Sequence, residues 1–129
     1  MLLGDLNAVS RADYSDTQWD NIINYRIEKG WTDGLIMLNF TNLLPEGIPP
    51  PELVIPRLHE LNYSDLFTLV GSGESFTVWA KKPMMRIDYI FASKNFMENN
   101  KNIKAVKCYR ENFICSDHFP VVAEFVVKL

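Results

Sequence analysis

The sequence contains few cysteines, and this shortage argues against one class of protein at the outset. Two cysteines in 129 residues are too few for the disulfide framework of a small secreted domain. We therefore expect Cys108 and Cys115 to be reduced core thiols in an intracellular protein, in a compartment that the sequence does not specify. Their spacing to other cysteines and histidines is not that of a zinc site.

An excess of positive charge and long apolar runs are also absent. The chain carries 13 Lys and Arg against 16 Asp and Glu, a net charge of −3, which argues against a strongly basic nucleic-acid-binding surface. No apolar run reaches the ~18 residues that a membrane-spanning helix needs, so we predict no membrane span. Residues 1–5 lack the basic region and apolar stretch of a signal peptide.

Apolar residues at helical spacing predict a first helix over residues 16–29. Ser15 and Gln18 have the spacing of a capping box, and Gly30 provides a stop. A second helix is predicted from Pro56 to Leu61, because proline is tolerated in a first turn. Between these helices, residues 35–40 form an apolar stretch of ambiguous type, and the proline-rich residues 45–51 predict a loop.

The second half of the chain predicts strands separated by turns. Segments rich in β-branched and aromatic residues cover residues 76–79, 87–91, 105–109 and 121–127. The last of these is apolar on both faces, which predicts a strand in the middle of a sandwich. A helix followed by several strands indicates an α+β or layered α/β fold.

Asp5 and Asn7 follow the apolar start of the chain and are candidate site residues. If the backbone stays extended there, both side chains point to the same face. Gly4 allows close backbone approach or an unusual φ. The alternative is a turn in which Asp5 and Asn7 bond their own backbone.

Two further segments place acidic or histidine side chains next to strands. Asp88 interrupts an apolar strand, where it either faces inward with a partner or outward on a half-exposed surface. Asp117 and His118 are adjacent and precede the last strand, so each can serve a different partner. The alternative for these two residues is a solvated loop tip.

Taken together, these segments favour a common site at strand ends, where α/β folds gather functional groups. Oxygen ligands suit Mg²⁺, which takes one or two carboxylates together with waters and substrate phosphate. The chain has neither a serine or cysteine nucleophile in an elbow motif nor a phosphate-binding glycine loop. Water activated by a carboxylate and a metal is therefore the simplest mechanism.

Four segments in order resemble motifs of one known superfamily. Residues 4–8 (GDLNA), 76–79 (FTVW), 86–90 (RIDYI) and 116–121 (SDHFPV) are similar to the last motifs of the endonuclease/exonuclease/phosphatase superfamily. The resemblance spans residues 4–125. It implies a DNase I-like, four-layered α/β sandwich and a Mg²⁺- or Mn²⁺-dependent phosphoesterase.

The resemblance also implies roles for individual residues. Asp5 would orient and deprotonate the attacking water and help to bind the metal, and Asn7 would position that water and a phosphate oxygen. Asp88 would hold and polarise His118, which would bind the phosphate and stabilise developing charge. Asp117 would bind the metal.

Trp79 and Arg86 lie in the same motifs, and the resemblance places them on the substrate side. For Trp79 the alternative is a core position. The substrate class stays open among DNA, RNA, phosphorylated small molecules and lipid head groups.

The resemblance covers only the later motifs of the superfamily. Its first strands carry an asparagine and a metal-binding glutamate for which this sequence has no counterpart. We therefore expect residues 1–129 to be the C-terminal portion of a single domain. An alternative function follows: an inactive module that binds other proteins, or that forms a homo-oligomer through the apolar surface of half a sandwich.

Overall fold

The structure is a computed structural model that describes residues 1–30 and 54–129. The predicted apolar stretch over 35–40 and the predicted loop over 45–51 lie outside the described residues. The described strands are β1 (Leu2–Asp5), β2 (Tyr63–Asp65), β3 (Asp88–Ser93), β4 (Ile103–Arg110) and β5 (Val121–Val127). The helices are α1 (Asp16–Glu28), α2 (Val54–Glu60), α3 (Leu66–Val70) and α4 (Lys94–Asn99), with a 3₁₀ turn at Arg11–Asp13.

The first helix confirms the prediction to within one residue. The Ser15 side chain accepts a hydrogen bond from the Gln18 backbone N–H, and the Gln18 side chain accepts one from the Ser15 N–H. Gly30 follows the helix with a φ of +66°, a conformation that glycine adopts without strain. Trp19 and Ile22 of this helix are buried, so the helix is anchored at its start and along one face.

The second helix begins two residues before the predicted start, at Val54. Pro56 therefore lies in the first turn, where its missing N–H is not needed by the helix. His59 packs its ring edge on Phe91, with ring centroids 5.8 Å apart. The histidine thus has a packing role.

The site is built on the three-stranded antiparallel sheet, ordered β1-β3-β2. Central β3 pairs with β1 in a register that sets Asp5 opposite Asp88. Tyr89 and Phe91 of β3 are buried. Because side chains alternate along a strand, Asp88 lies on the opposite face of the sheet from Tyr89.

The remaining strands, β4 and β5, form an antiparallel pair with a register shift between Ala105 and Lys107. The bounds predicted for β5 are confirmed, but its predicted place in the middle of a sandwich is wrong. Among the described residues β5 pairs only with β4, and none of its side chains is buried. Val126 and Val127 are about half exposed, at 49% and 51%, because no described element covers that end of the strand.

The predicted strand over residues 76–79 is replaced by a tighter arrangement. Val78 forms isolated bridges with Met85 and with His118. The N–H groups of Thr77 and Val78 both donate to the Met85 carbonyl, at 2.8 and 3.0 Å. The chain doubles back over so few residues that it does not form a regular ladder.

A buried cluster connects the two sheets. Leu66 of α3 and Ala92 of β3 pack with Ala105 and Cys108 of β4, and side chains of β5 pack against this group. The structure therefore has an α+β architecture of helices and antiparallel sheets, as predicted at that level. Within residues 1–30 and 54–129, the helices are too short or too polar to cross a bilayer.

Candidate functional site

The centre of the candidate site is an aspartate–histidine pair. Asp88 Oδ2 lies 2.9 Å from His118 Nδ1, and both side chains are partly buried, at 18% and 26% exposed. A carboxylate only accepts hydrogen bonds, so His118 Nδ1 carries the proton and donates it to Asp88. This contact fixes the ring and leaves Nε2 as the nitrogen available to a ligand.

Thr77 positions both members of this pair, a role that the sequence pattern did not predict. Its hydroxyl oxygen accepts hydrogen bonds from the N–H groups of Ile87 and Asp88, at 3.2 and 3.3 Å. Its carbonyl accepts the Phe119 N–H at 2.8 Å, next to His118. Thr77 is 1% exposed, and it is the residue that connects the segment of Asp88 with that of His118.

We expect Thr77→Val to lower the free energy of unfolding by about 2 kcal/mol, because two buried N–H groups lose their acceptor. Thr77→Ser keeps the hydroxyl and should lose less than half as much. Urea denaturation of the two variants measures this difference. Equal stabilities of the valine and serine variants would show that the hydroxyl contributes nothing.

The pairing of β1 with β3 places Asp5 next to Asp88. Asp5 lies opposite Asp88, and the adjacent Leu6 N–H donates to the Ile87 carbonyl at 2.9 Å. Asp5 and Asp88 are therefore a non-hydrogen-bonded pair of an antiparallel ladder, the kind in which facing side chains lie closest. Two carboxylates thus project from the same face at this sheet end.

The local backbone at Asn7 differs from the extended form that would align it with Asp5. Asn7 has a φ of +45°, and its N–H donates to Asp5 Oδ1 at 2.8 Å. The alternative interpretation, a turn in which Asp5 bonds its own backbone, is confirmed for this contact. Gly4 has a φ of +135°, the unusual conformation that the sequence anticipated. Asp5 and Asn7 are both exposed at this turn.

Asp117 is exposed and faces different surroundings from its neighbour His118. Its Oδ1 accepts the Ser116 hydroxyl at 3.0 Å, and the Ser116 oxygen also accepts the His118 N–H at 3.2 Å. Ala80 N–H donates to the Asp117 carbonyl at 2.8 Å. Ser116 thus orders the loop. Within this loop, Asp117 lines one cavity and His118 lines another.

Two cavities flank this loop. One, of about 300 Å³, contains Asp88 and His118 in its walls together with Leu3, Ile90 and Phe119. The other, of about 610 Å³, is lined by Tyr25, Trp79, Ala80, Lys81, Lys82, Ile114 and Asp117. Cys115 and Ser116 line both cavities, so the cavities are neighbours.

The structure describes two free cysteines, as predicted, but only one of them is in the core. Cys108 is buried and Cys115 is exposed. Burial raises the pKa of the Cys108 thiol above its usual value, which makes this thiol unreactive. Cys115 lies in the loop between β4 and β5, where residues 111–117 are all exposed.

Arg86 is buried and does not line the open side of the site, in contrast to the sequence-based expectation. Its side chain is 4% exposed, and Nη2 lies 2.6 Å from the carboxylate of Asp65, itself 3% exposed. The guanidinium lies between the rings of Phe67 and Tyr89, at 4.9 and 4.4 Å. These contacts occupy the side chain internally, so Arg86 supports β3 from the face opposite Asp88.

Trp79 has features of both predicted positions, the substrate side and the core. It is partly buried and packs against the core cluster of Val9, Trp19 and Val78, and it also lines the larger cavity. Tyr25 contacts its ring, with centroids 5.3 Å apart. Trp79 is thus a core residue with one exposed surface beside Asp117.

Burial raises the pKa values of three groups near Arg86, which are Asp13, Tyr14 and Tyr89. Desolvation raises the pKa of Asp13, opposed by the charge of Arg86 at 3.5 Å. Desolvation also raises the pKa of Tyr89 and takes the pKa of Tyr14 to about 12. Both tyrosines are therefore neutral at physiological pH, and Tyr14 accepts the Arg86 backbone N–H at 2.8 Å.

The donor set can be compared with the needs of a divalent cation. Within the described part of the chain, no cluster of three or more carboxylate, histidine or cysteine side chains is arranged to hold a metal. Asp5 and Asp117 each use Oδ1 in a local turn, and no described residue donates a hydrogen bond to either Oδ2. Mg²⁺ needs only one or two protein carboxylates with waters and phosphate, and Asp5 and Asp117 each offer one, although Asp117 lines the larger cavity and Asp5 lines neither cavity.

The chain was compared with protein-family models, with curated proteins and with solved structures, and none of the three comparisons found a match.

Proposed function

We propose that this protein is a metal-dependent phosphoesterase related to the endonuclease/exonuclease/phosphatase superfamily. The observation that carries the proposal is the 2.9 Å contact between Asp88 and His118 in the wall of a cavity. A second carboxylate, Asp5, lies opposite Asp88 at the same sheet end. A histidine held by one carboxylate beside another is suited to phosphate chemistry.

His118 acts on the phosphate in this proposal. Because Nδ1 donates to Asp88, a protonated ring has Nε2–H free to donate to a phosphate oxygen. Negative charge grows on that oxygen and on the leaving group as water attacks, so a fixed positive donor favours the transition state over the bound substrate. Asp88 keeps the ring oriented and compensates its charge.

Asp5 and Asp117 act on the water and the cation. Asp5 is an exposed carboxylate able to accept a proton from the attacking water, and Asn7 adjoins it. Asp117 and Asp5 are the residues that would hold Mg²⁺ or Mn²⁺. When bound, such an ion supplies positive charge to the phosphate and lowers the pKa of water.

We expect hydrolysis of bis(4-nitrophenyl) phosphate to require Mg²⁺ or Mn²⁺ and to stop in EDTA. Asp117→Asn removes a ligand charge, so it should raise the half-saturating Mg²⁺ concentration by about tenfold or more. The rate of nitrophenolate release, measured across a Mg²⁺ titration, tests both expectations.

Asp20→Asn is the matched control, because Asp20 is an exposed carboxylate on α1. It should leave the Mg²⁺ titration unchanged. Full activity in EDTA, or no hydrolysis by a chain whose circular dichroism shows a folded state, would contradict the proposed function.

A second candidate function is a self-associating module, and exposed apolar side chains favour it. Leu3 on edge strand β1 is 63% exposed, and Phe113 and Ile114 are 67% and 59% exposed. An unpaired apolar edge strand can pair with a second copy. Leu3 also borders the cavity of Asp88 and His118, so a partner at this edge would lie beside the site.

Sedimentation velocity tests this second candidate. We expect a concentration-dependent dimer that Leu3→Glu converts to monomer, because a charge on an edge strand opposes edge pairing. Lys104→Glu, at an exposed position of β4, is the control for the added charge. A wild-type chain that stays monomeric at all concentrations would contradict self-association.

A further inference from the structure

The larger cavity combines aromatic rings with positive charge in a chain of net charge −3. Tyr25 and Trp79 lie in ring contact at 5.3 Å, and both line the cavity together with Lys81 and Lys82. From these features we propose that this cavity binds a nucleobase next to the hydrolysed phosphate, so that the substrate class is single-stranded nucleic acid or a nucleotide. This inference rests on the proposed phosphoesterase function.

The larger cavity adjoins the cavity of Asp88 and His118. It shares Cys115 and Ser116 with the cavity of Asp88 and His118, and Asp117 lies in its wall. Val78 bridges to His118 in the backbone, which makes Trp79 and Asp117 the next residues along the two chain segments. A phosphoester bound at His118 therefore has a substituent within reach of the Tyr25 and Trp79 rings.

Positively charged side chains lie next to the rings of Tyr25 and Trp79. Lys82 Nζ lies 4.8 Å from the Tyr25 ring centroid and Lys29 Nζ lies 5.6 Å from it, while the Arg26 guanidinium lies 5.8 Å from the Trp79 ring centroid. Among the described residues that line the cavity, Lys81 and Lys82 are basic and Asp117 is acidic. The lysines outnumber the acid there, so the cavity attracts an anion.

The combination of aromatic rings and lysines in one cavity favours one class of ligand over two others. Aromatic cages bind choline-type head groups through the positive charge of the ligand, which Lys81 and Lys82 in the wall of this cavity would repel. A polyphosphorylated small molecule needs cations but makes no use of two rings. Bases stacked on aromatic side chains with phosphates held by lysines are the pattern of single-strand binding, and both parts are present.

Binding in EDTA tests this inference separately from hydrolysis. Fluorescence anisotropy of a labelled short oligothymidylate measures affinity, and a matched abasic oligomer of equal charge measures the contribution of the bases. We expect the abasic oligomer to bind about tenfold or more weakly, since each stacked base contributes substantially to affinity. Competition with thymidine monophosphate distinguishes a nucleotide site from one that needs a longer strand.

Three variants locate the effect. Tyr25→Ala and Trp79→Ala should each remove most of the preference for the base-containing oligomer, and Lys82→Gln should weaken both oligomers. Trp79→Phe keeps a ring in the core and should retain most of the preference, which separates stacking from folding. Tyr109→Ala is the matched control, because Tyr109 has a lysine over its ring at 4.3 Å but does not line the cavity.

The binding and hydrolysis measurements together support or overturn the base-binding inference. Equal binding of the two oligomers, or full preference retained in Tyr25→Ala, would overturn the base-binding inference and indicate a site for polyanions in general. Hydrolysis of bis(4-nitrophenyl) phosphate without binding of either oligomer would overturn the inference and leave the phosphoesterase proposal standing. Base-dependent binding without any hydrolysis would support the cavity as a nucleotide site and remove the phosphoesterase function.

Discussion

Replacing Asp88 by asparagine is expected to lower the rate of phosphodiester hydrolysis by about 10⁴-fold, the loss found when an aspartate that orients a catalytic histidine is neutralised. Asparagine can offer its NH₂ group to His118 Nδ1, which must then be an unprotonated acceptor, so the ring loses the positive charge that is proposed to stabilise the transition state. The variant also loses the negative charge that balances a protonated ring. The initial rate at saturating Mg²⁺ is the measurement.

The same substitution should change stability much less than activity. The Asp88 backbone N–H keeps its bond to Thr77, and the side chain is 18% exposed, so water can solvate the amide. His118→Gln should lose activity to a similar degree, and the double variant should lose little more, because the two residues act as a unit. Additive losses would show that Asp88 and His118 act independently.

Local signals were the part of the fold that could be predicted from the sequence. The capping box of Ser15 and Gln18 involves residues three apart, and the run of β-branched and aromatic residues in β5 is a local pattern. Both predictions were correct because short-range chemistry determines them. The predicted burial of β5 was wrong because burial depends on which distant element covers a strand, and a local run of apolar residues carries no information about that.

The site was predictable to the extent that its residues are polar groups at strand ends. Asp88 and His118 are 30 residues apart, and their shared position next to strands, together with the superfamily resemblance, suggested that they meet. Thr77 could not be found in the same way, because a threonine in an apolar segment is indistinguishable from an ordinary strand residue. Its function depends on an acceptor position next to two N–H groups, which exists only in the folded chain.

The partners of Arg86 could not be predicted from the sequence either, because they are distant along the chain. An arginine beside Asp88 is compatible with a substrate-facing role, and the sequence offers no sign that Asp13 and Asp65, 73 and 21 residues away, are its partners. Asp65 also receives hydrogen bonds from the Phe67 N–H and the Thr68 hydroxyl at the start of α3. One buried carboxylate thus connects the arginine of the β3 segment to the start of a helix.

Removing Arg86 is therefore expected to be among the most destabilising changes in the described part of the chain. Arg86→Met leaves the 3%-exposed carboxylate of Asp65 without its counter-charge, and breaking a buried pair in this way costs about 3–5 kcal/mol. Asp13 loses the same positive charge, although its greater exposure reduces the effect. The free energy of unfolding in urea, at neutral pH, measures the loss.

The double variant Arg86→Met/Asp65→Asn separates an unpaired charge from lost packing. Asparagine keeps an oxygen for the Phe67 N–H and has no charge to leave unpaired, so we expect it to recover more than half of the loss. Arg57→Met is the control, because Arg57 and Glu60 form an exposed pair at 2.5 Å that contributes less than about 1 kcal/mol. If Arg86→Met were no more destabilising than Arg57→Met, the buried pair would not stabilise the fold.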